Sequence, residues 1–498
     1  MLRPAIALLL ALVCPAALAE DLLQAYELSL RNDPKVAADR AAYEAALQAK
    51  PLARALLLPQ VSAGVELSKN RDEILASSSP ITPLGVARYD ASGYRVSLSQ
   101  TLFNWSQFAQ LRQADAQLFA AEATLAAATQ EQILRVATRY FDVLAAEDGL
   151  RTAQAEKTAI ASQLERARKR FEVGMSPILD VQETQARYDI AMAQEIEARR
   201  LLRSAREALR AVTGRFPETL AGLRESIPLQ PPEPQDAESW VRTAAQNNLQ
   251  IQNAQALSDI ARDEVRKQTG GHYPTLSLVG SYDYFDRLDS PFGGREQESG
   301  VLGLQLAIPL YAGGGVQAGV RQAANTHAQR QAELELARRE VERQTRDAYE
   351  GVVVGISRVE ALAQALESNR TALETTEAGY RVGARTVTDT LDAQSALYRA
   401  ERDYARARYD YLLNTLRLKQ STGQLAPADL QAVNALLAAP SRPQPSGITP
   451  PAPGYPPGAV VAPEKPVRLQ QPLPETPAPP ATPPPAPAPA PANPGSAP

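Results

Sequence analysis

Apolar and polar positions along this chain follow two periods, and each period appears twice. Val61, Ala63, Val65 and Leu67 alternate with Ser62, Gly64, Glu66 and Ser68, and Tyr94, Val96 and Leu98 alternate with Arg95, Ser97 and Ser99. Further on, Leu276, Leu278, Tyr282 and Tyr284 oppose Ser277, Ser281 and Asp283. Leu302, Leu304, Leu306 and Ile308 oppose Gly303, Gln305 and Ala307. Period two with one apolar face predicts half-buried strands. Each is roughly ten residues long, the length of a membrane-spanning strand. Tyr94, Phe103, Trp105, Tyr282, Tyr284 and Tyr311 lie near the expected strand ends. A soluble hairpin packed on a helix layer would show the same alternation, so this pattern alone leaves two readings open.

The second period is seven. Val352, Val359, Leu366, Leu373 and Tyr380 are spaced by sevens, and Val143, Leu150, Leu164 and Phe171 hold the matching positions earlier, with Lys157 interrupting the set. Sustained sevens predict a coiled-coil seam. Leu334 and Val341 precede Val352 by a step of eleven from Val341, which relaxes left-handed supercoiling. The stretch from Asn104 to about Phe171 contains no proline, so it predicts a helix roughly 100 Å long. Moderate helices are expected before each strand pair, from Leu22 to about Lys50 and from Trp240 to about Lys267. Return helices are expected over Asp180–Ala211 and Asp389–Lys419.

The two sets are copies of one unit. Gly174 recurs at Gly383, Asp180 at Asp389 and Thr213-Gly214 at Thr422-Gly423, each 209 positions later. A repeat of this length makes each half a complete structural unit. The organisation expected is a signal peptide over 1–19, a first repeat over 20–225, a linker over 226–239, a second repeat over 240–439 and a Pro/Ala-rich tail over 440–498. The tail composition predicts disorder or polyproline II. Arg3, the apolar run Ala5–Val13 and Ala17-Leu18-Ala19 mark the secretory signal. Cys14, the only cysteine, lies within it, so disulfides do not brace the expected mature chain. The net charge of -4 argues against a nucleic-acid partner.

If the strands enter a membrane, they cannot do so alone. Open sheet edges are not tolerated in lipid, and single-chain barrels start at about eight strands. The barrel must then be shared between subunits. An eight-stranded barrel is filled by its own side chains, so a conducting pore requires at least three copies of a four-stranded contribution.

Catalytic chemistry is not suggested. His272 and His327 lack metal-ligand spacing, and Gly313-Gly314-Gly315 lacks the Lys-Ser/Thr of a phosphate loop. No cofactor or metal is expected. Asp389 and Asp392 stand three apart and share a helix face just after a turn. Two readings fit them: helix-start carboxylates favoured by the macrodipole, or, around a symmetry axis, rings of carboxylates that set cation preference. Crowded like charges there would raise carboxylate pKa values. Arg385, four residues before Asp389, fits a local ion pair equally well. Gly174 and Gly383 fit helix C-caps.

Several motifs resemble the TolC family of outer-membrane efflux and secretion channels across roughly Glu20–Asn434. They are Asn32-Asp33-Pro34, the runs Gly271–Leu276 and Pro309–Gly314, and most specifically Gly379–Ala393. The resemblance implies a mainly α protomer with membrane β-strands, giving four strands to a twelve-stranded trimeric barrel in the outer membrane. It implies a helical tunnel across the periplasm, serving as the passive exit duct of a tripartite efflux pump or type I secretion system. The implied partners are two further copies, outer-membrane lipid, a periplasmic adaptor (membrane fusion) protein and an inner-membrane transporter. Asp389 and Asp392 would form the entrance constriction, with Asp180, Tyr380 and Arg385 as gate links between hairpins. Arg170, Val173, Gly174, Arg381, Val382 and Gly383 would be the tips that dock the adaptor. The long tail and the segment Lys69–Ala91, expected as a longer loop, depart from the shared core. The rival from another class is a soluble periplasmic coiled-coil scaffold or adaptor, which explains the helices but not the matched strands.

Overall fold

A computed structural model describes residues 20–76, 84–217, 219–287 and 294–438. The expected signal peptide, with Cys14, and the expected tail lie outside these residues. Within them the repeat is visible element by element. The first half runs α1 (Leu22–Asn32), α2 (Pro34–Leu47), α3 (Ala49–Ala55), β1 (Gln60–Ile74), β2 (Gly85–Phe103), α4 (Trp105–Glu172) and α5 (Ile178–Thr213). After a two-residue strand, β3 (Gly222–Leu223), the second half runs α6 (Ala237–Asn247), α7 (Leu249–Thr269), β4 (Thr275–Asp286), β5 (Glu296–Ala307), α8 (Gly315–Arg381) and α9 (Val387–Ser421). A short helix, α10 (Pro427–Asn434), and β6 (Leu437–Ala438) follow, with β6 pairing antiparallel to β3.

The expected continuous helix from Leu22 to Lys50 is broken. Asp33 ends α1, and its side chain accepts from the Lys35 N–H to cap α2, whose first residue is Pro34. A proline at the first helical position lacks only a donor that has no partner there anyway. Asn248 divides α6 from α7 in the same way, accepting from Gln250 and Ile251. These breaks are the clamps for the return helices. Asn32 Nδ2 donates to the Thr213 carbonyl at 2.7 Å, and Asn248 Nδ2 donates to the Ser421 carbonyl at 2.7 Å. Gly214 and Gly423 close α5 and α9 with φ of 75° and 71°. A Cβ on Gly423 would stand 2.3 Å from the Asn247 carbonyl oxygen. Gly423→Ala is therefore expected to cost about 1–3 kcal/mol in left-handed strain alone and to lower the melting temperature of the detergent-solubilised protein. An unchanged melt would contradict the clamp.

The four longer strands form one antiparallel sheet in the order β1-β2-β4-β5. The register aligns the period-two pattern across all four. Val65, Tyr94, Tyr284 and Glu298 form one row, Val61, Leu98, Gly280 and Leu302 another. The rows between them carry Ser62, Ser97, Ser281 and Val301, then Gly64, Arg95, Asp283 and Ser299. One face is thus largely apolar, with Tyr94 stacked on Tyr284 at 5.1 Å between ring centroids. The other is mostly polar: Ser62 and Ser97 hydroxyls bond at 2.7 Å, and Arg95 pairs with Asp283. The expected loop Lys69–Ala91 is mostly strand, since pairing continues from Lys69–Asp90 to Ile74–Gly85. Its residues Lys69 to Glu73 are all polar, so period two ceases while the backbone ladder continues. Only backbone pairing is needed to extend a hairpin beyond the apolar band.

The long helices pack as α4 on α5 and α8 on α9, with α7 lying against both α4 and α8. The core gathers where the short elements meet them. Tyr140, Phe141, Ile133, Leu416, Leu418 and Leu430 are fully buried, and Phe141 stacks on Tyr409 at 5.6 Å. The Tyr140 hydroxyl lies 2.8 Å from the Ala221 carbonyl, fastening the crossing from one repeat to the other. Val352, Val359, Val341 and Leu334 of the expected second seam are buried, as are Val143 and Leu164 of the first, but Phe171 at the far end of the first is exposed. Lys157, which interrupts the sevens, pairs with buried Glu195 on α5 at 2.6 Å. That bond holds the Glu195 carboxyl below the usual range. Among the described residues no helix is long and apolar enough to cross a membrane.

Candidate entrance at the helical hairpin tips

Both helical hairpins turn by the same device. Gly174 and Gly383 adopt φ of 73° and 78°. Met175 N–H donates to the Arg170 carbonyl and Gly174 N–H to that of Phe171. In the second hairpin Ala384 N–H donates to Gly379 and Gly383 N–H to Tyr380. These paired bonds are Schellman closures, in which glycine supplies the left-handed residue. The closures leave Val173, Met175 and Val382 at least two-thirds exposed at the tips.

The carboxylates expected at the entrance follow directly. Thr386 caps α9 in a reciprocal box: Asp389 N–H donates to the Thr386 hydroxyl at 3.1 Å, and Thr386 N–H donates to the Asp389 carboxylate at 2.9 Å. The backbone bond from Thr386, its hydroxyl and nearby Arg385 hold Asp389 below the ordinary carboxylate range. Within one chain the expected upward shift is thus reversed at Asp389, because its nearest groups are donors. Asp392, one turn on, pairs with Arg187 of α5 at 2.5 Å.

The links between hairpins differ in their partners from those expected. Tyr380 does reach the first hairpin, but its hydroxyl accepts from Arg170 Nη1 at 3.0 Å, with that guanidinium 5.3 Å from the ring centroid. Arg170 is therefore half-buried on Tyr380, whereas Arg381, Val382, Val173 and Gly174 are exposed. Arg385 stays on its own turn, its Cγ 2.8 Å from where a Cβ on Gly379 would stand. Among the described residues neither Asp180 nor Arg385 has an ion-pair partner within the chain. Thr388 donates to Glu183 at 2.5 Å, a second bond between α9 and α5. Beneath these bonds Ile160, Ala191, Val387 and Leu391 form a small buried cluster, flanked by Tyr188 and Tyr380.

The sequence singles out the carboxylates and Tyr380 as candidates but not Arg187. The one signal available was its place on α5, a turn beyond Glu183, the repeat counterpart of Asp392. Among the described residues no three His, Cys, Asp or Glu side chains are grouped to hold a metal ion.

The chain as a whole has relatives among known proteins. A family described as Outer membrane efflux protein matches residues 25–215 and 240–424. The Outer membrane protein TolC of Vibrio cholerae is 35% identical over 420 residues, covering 84% of this chain and 94% of that protein. The Alkaline protease secretion protein AprF of Pseudomonas aeruginosa is 31% identical over 425 residues, covering 84% and 88%. Among solved structures, the Campylobacter jejuni CmeC outer membrane channel superposes with a TM-score of 0.70 at 16% identity, covering 84% of this chain and 89% of that one.

Proposed function

The chain belongs to the outer membrane efflux protein family, and from that premise we propose that three copies form one duct with an acidic entrance at the hairpin tips. It is an outer-membrane channel of the efflux and type I secretion class. The observation that carries the trimer is the four-stranded sheet, which has one apolar face and, at β1 and β5, two edges without partner strands among the described residues. An apolar face and open edges suit lipid only when the sheet closes. Val65, Leu67, Leu302 and Leu304 are more than two-thirds exposed on that face, an unfavourable display for a soluble scaffold. Three copies close twelve strands, wide enough for a pore where eight would be filled.

The helices support the same closure. Within the chain α7 lies between α4 and α8, whereas its repeat counterparts, α2 and α3, pack chiefly against α4. A neighbour's α8 would complete the equivalent contact. Around such an axis Asp389 and Asp392 line the entrance, and Arg385 and Asp180, unpaired within the chain, link neighbouring copies. The exposed tips at Val173-Gly174 and Arg381-Val382-Gly383 dock a periplasmic adaptor, which joins the duct to an inner-membrane transporter. Transport through it is passive.

Native mass spectrometry of the detergent-purified protein tests the closure. A mass of three chains supports the reading. A monomer or a dimer, which would leave four or eight strands, would contradict it.

A further inference from the structure

We infer that Arg187 determines the charge of the inner entrance ring, neutralising Asp392 at rest so that Asp389 alone supplies the resting cation site. The inference rests on the acidic-entrance reading above and deepens it. The two carboxylates occupy neighbouring turns of α9 but have different surroundings. The Asp389 carboxylate is bound to its own helix start, through Thr386 N–H. Those donors are neutral, and Arg385, the nearby cation, forms no ion pair with it, so its negative charge stays largely available. Asp392 gives one oxygen to the Arg187 guanidinium at 2.5 Å. A pair this close presents a dipole rather than a charge to an ion several ångströms away.

The Arg187 bond also crosses between hairpins. It joins α5 to α9 beside the Thr388–Glu183 bond, over the Ile160, Ala191, Val387 and Leu391 cluster. The two groups are partly exposed, 40% and 59% for Arg187 and Asp392. Water can therefore replace either partner, and the pair separates when α9 moves away from α5. Opening then does two things at once: it widens the entrance and uncovers a second ring of carboxylates. Selectivity for cations rises as the gate opens, because the countercharge remains on the other hairpin.

The test is block of single channels by hexaamminecobalt(III) in planar bilayers. Arg187→Gln is expected to tighten block about tenfold, as three uncompensated carboxylates join the site. Arg187→Lys restores wild-type block, since it keeps the charge. In an Asp392→Ala background the Arg187→Gln effect vanishes, and Asp389→Ala weakens block more than Asp392→Ala does. If Arg187→Gln leaves block unchanged while Asp389→Ala weakens it, the acidic entrance stands and the role of Arg187 is wrong. An equal Arg187→Gln effect with and without Asp392 would also overturn it, as the arginine would then act on packing alone. If neither aspartate variant alters block, the acidic entrance fails and the inference fails with it.

Discussion

Replacing Asp389 and Asp392 together with alanine is expected to abolish block by multivalent cations. A trivalent ion about 5 Å from one carboxylate gains about 2.5 kcal/mol even at the dielectric of water. Three Asp389 carboxylates around an axis, with Asp392 adding charge only as its pair with Arg187 separates, support at least about 100-fold in block affinity after screening by salt. The loss is largest at low ionic strength and shrinks as salt rises, because partly exposed charges are screened. Folding is expected to survive. The Asp389 box contributes a helix cap of about 1 kcal/mol, and the Asp392 pair is exposed enough to add little. Persistent block in the double variant would place the cation site elsewhere in the duct.

Removing the Arg170–Tyr380 link is expected to raise the mean conductance several-fold. One tyrosine here carries two attractions, a hydrogen bond from a cationic donor and a guanidinium over its ring. The first contributes about 1.5–3 kcal/mol and the second about 0.5–1 kcal/mol at a partly exposed site. If about 2 kcal/mol of this holds the closed hairpins together, its loss multiplies the open-to-closed ratio about 30-fold, and the mean conductance rises several-fold as the open state fills. Tyr380→Phe separates the two parts, since the ring remains and only the acceptor is lost. Its conductance should fall between those of wild type and Tyr380→Ala. Arg170→Ala should match Tyr380→Ala, because each removes both attractions. Unchanged conductance in both alanine variants would contradict a gating role for the pair.

The features most legible in the sequence were those set by local repetition. The turns at Gly174 and Gly383 follow from a need for left-handed backbone, and the strands from one apolar face repeated every second residue. The strand ends were less legible. Between Lys69 and Glu73 the side chains are polar on both faces, so nothing periodic marks the continuing ladder. The breaks at Asp33 and Asn248 involve capping side chains, whose effect overrides the helical pattern on either side. The proposed gate was half legible. Asp389, Asp392 and Tyr380 stood in a motif, but their partners are set by how α5 and α9 pack. Arg187 lies 205 positions from Asp392, and no spacing rule connects two helices that far apart. Lys157 interrupted the seam for the same kind of reason, since its partner Glu195 lies on the opposing helix.

The central claim is a shared barrel whose acidic entrance controls flow. The most direct measurement is the reversal potential of single channels of the wild-type protein in a planar bilayer under a potassium chloride gradient. Small, cation-selective openings are the predicted result. Wide unselective openings, anion selectivity or no conductance at all would contradict it.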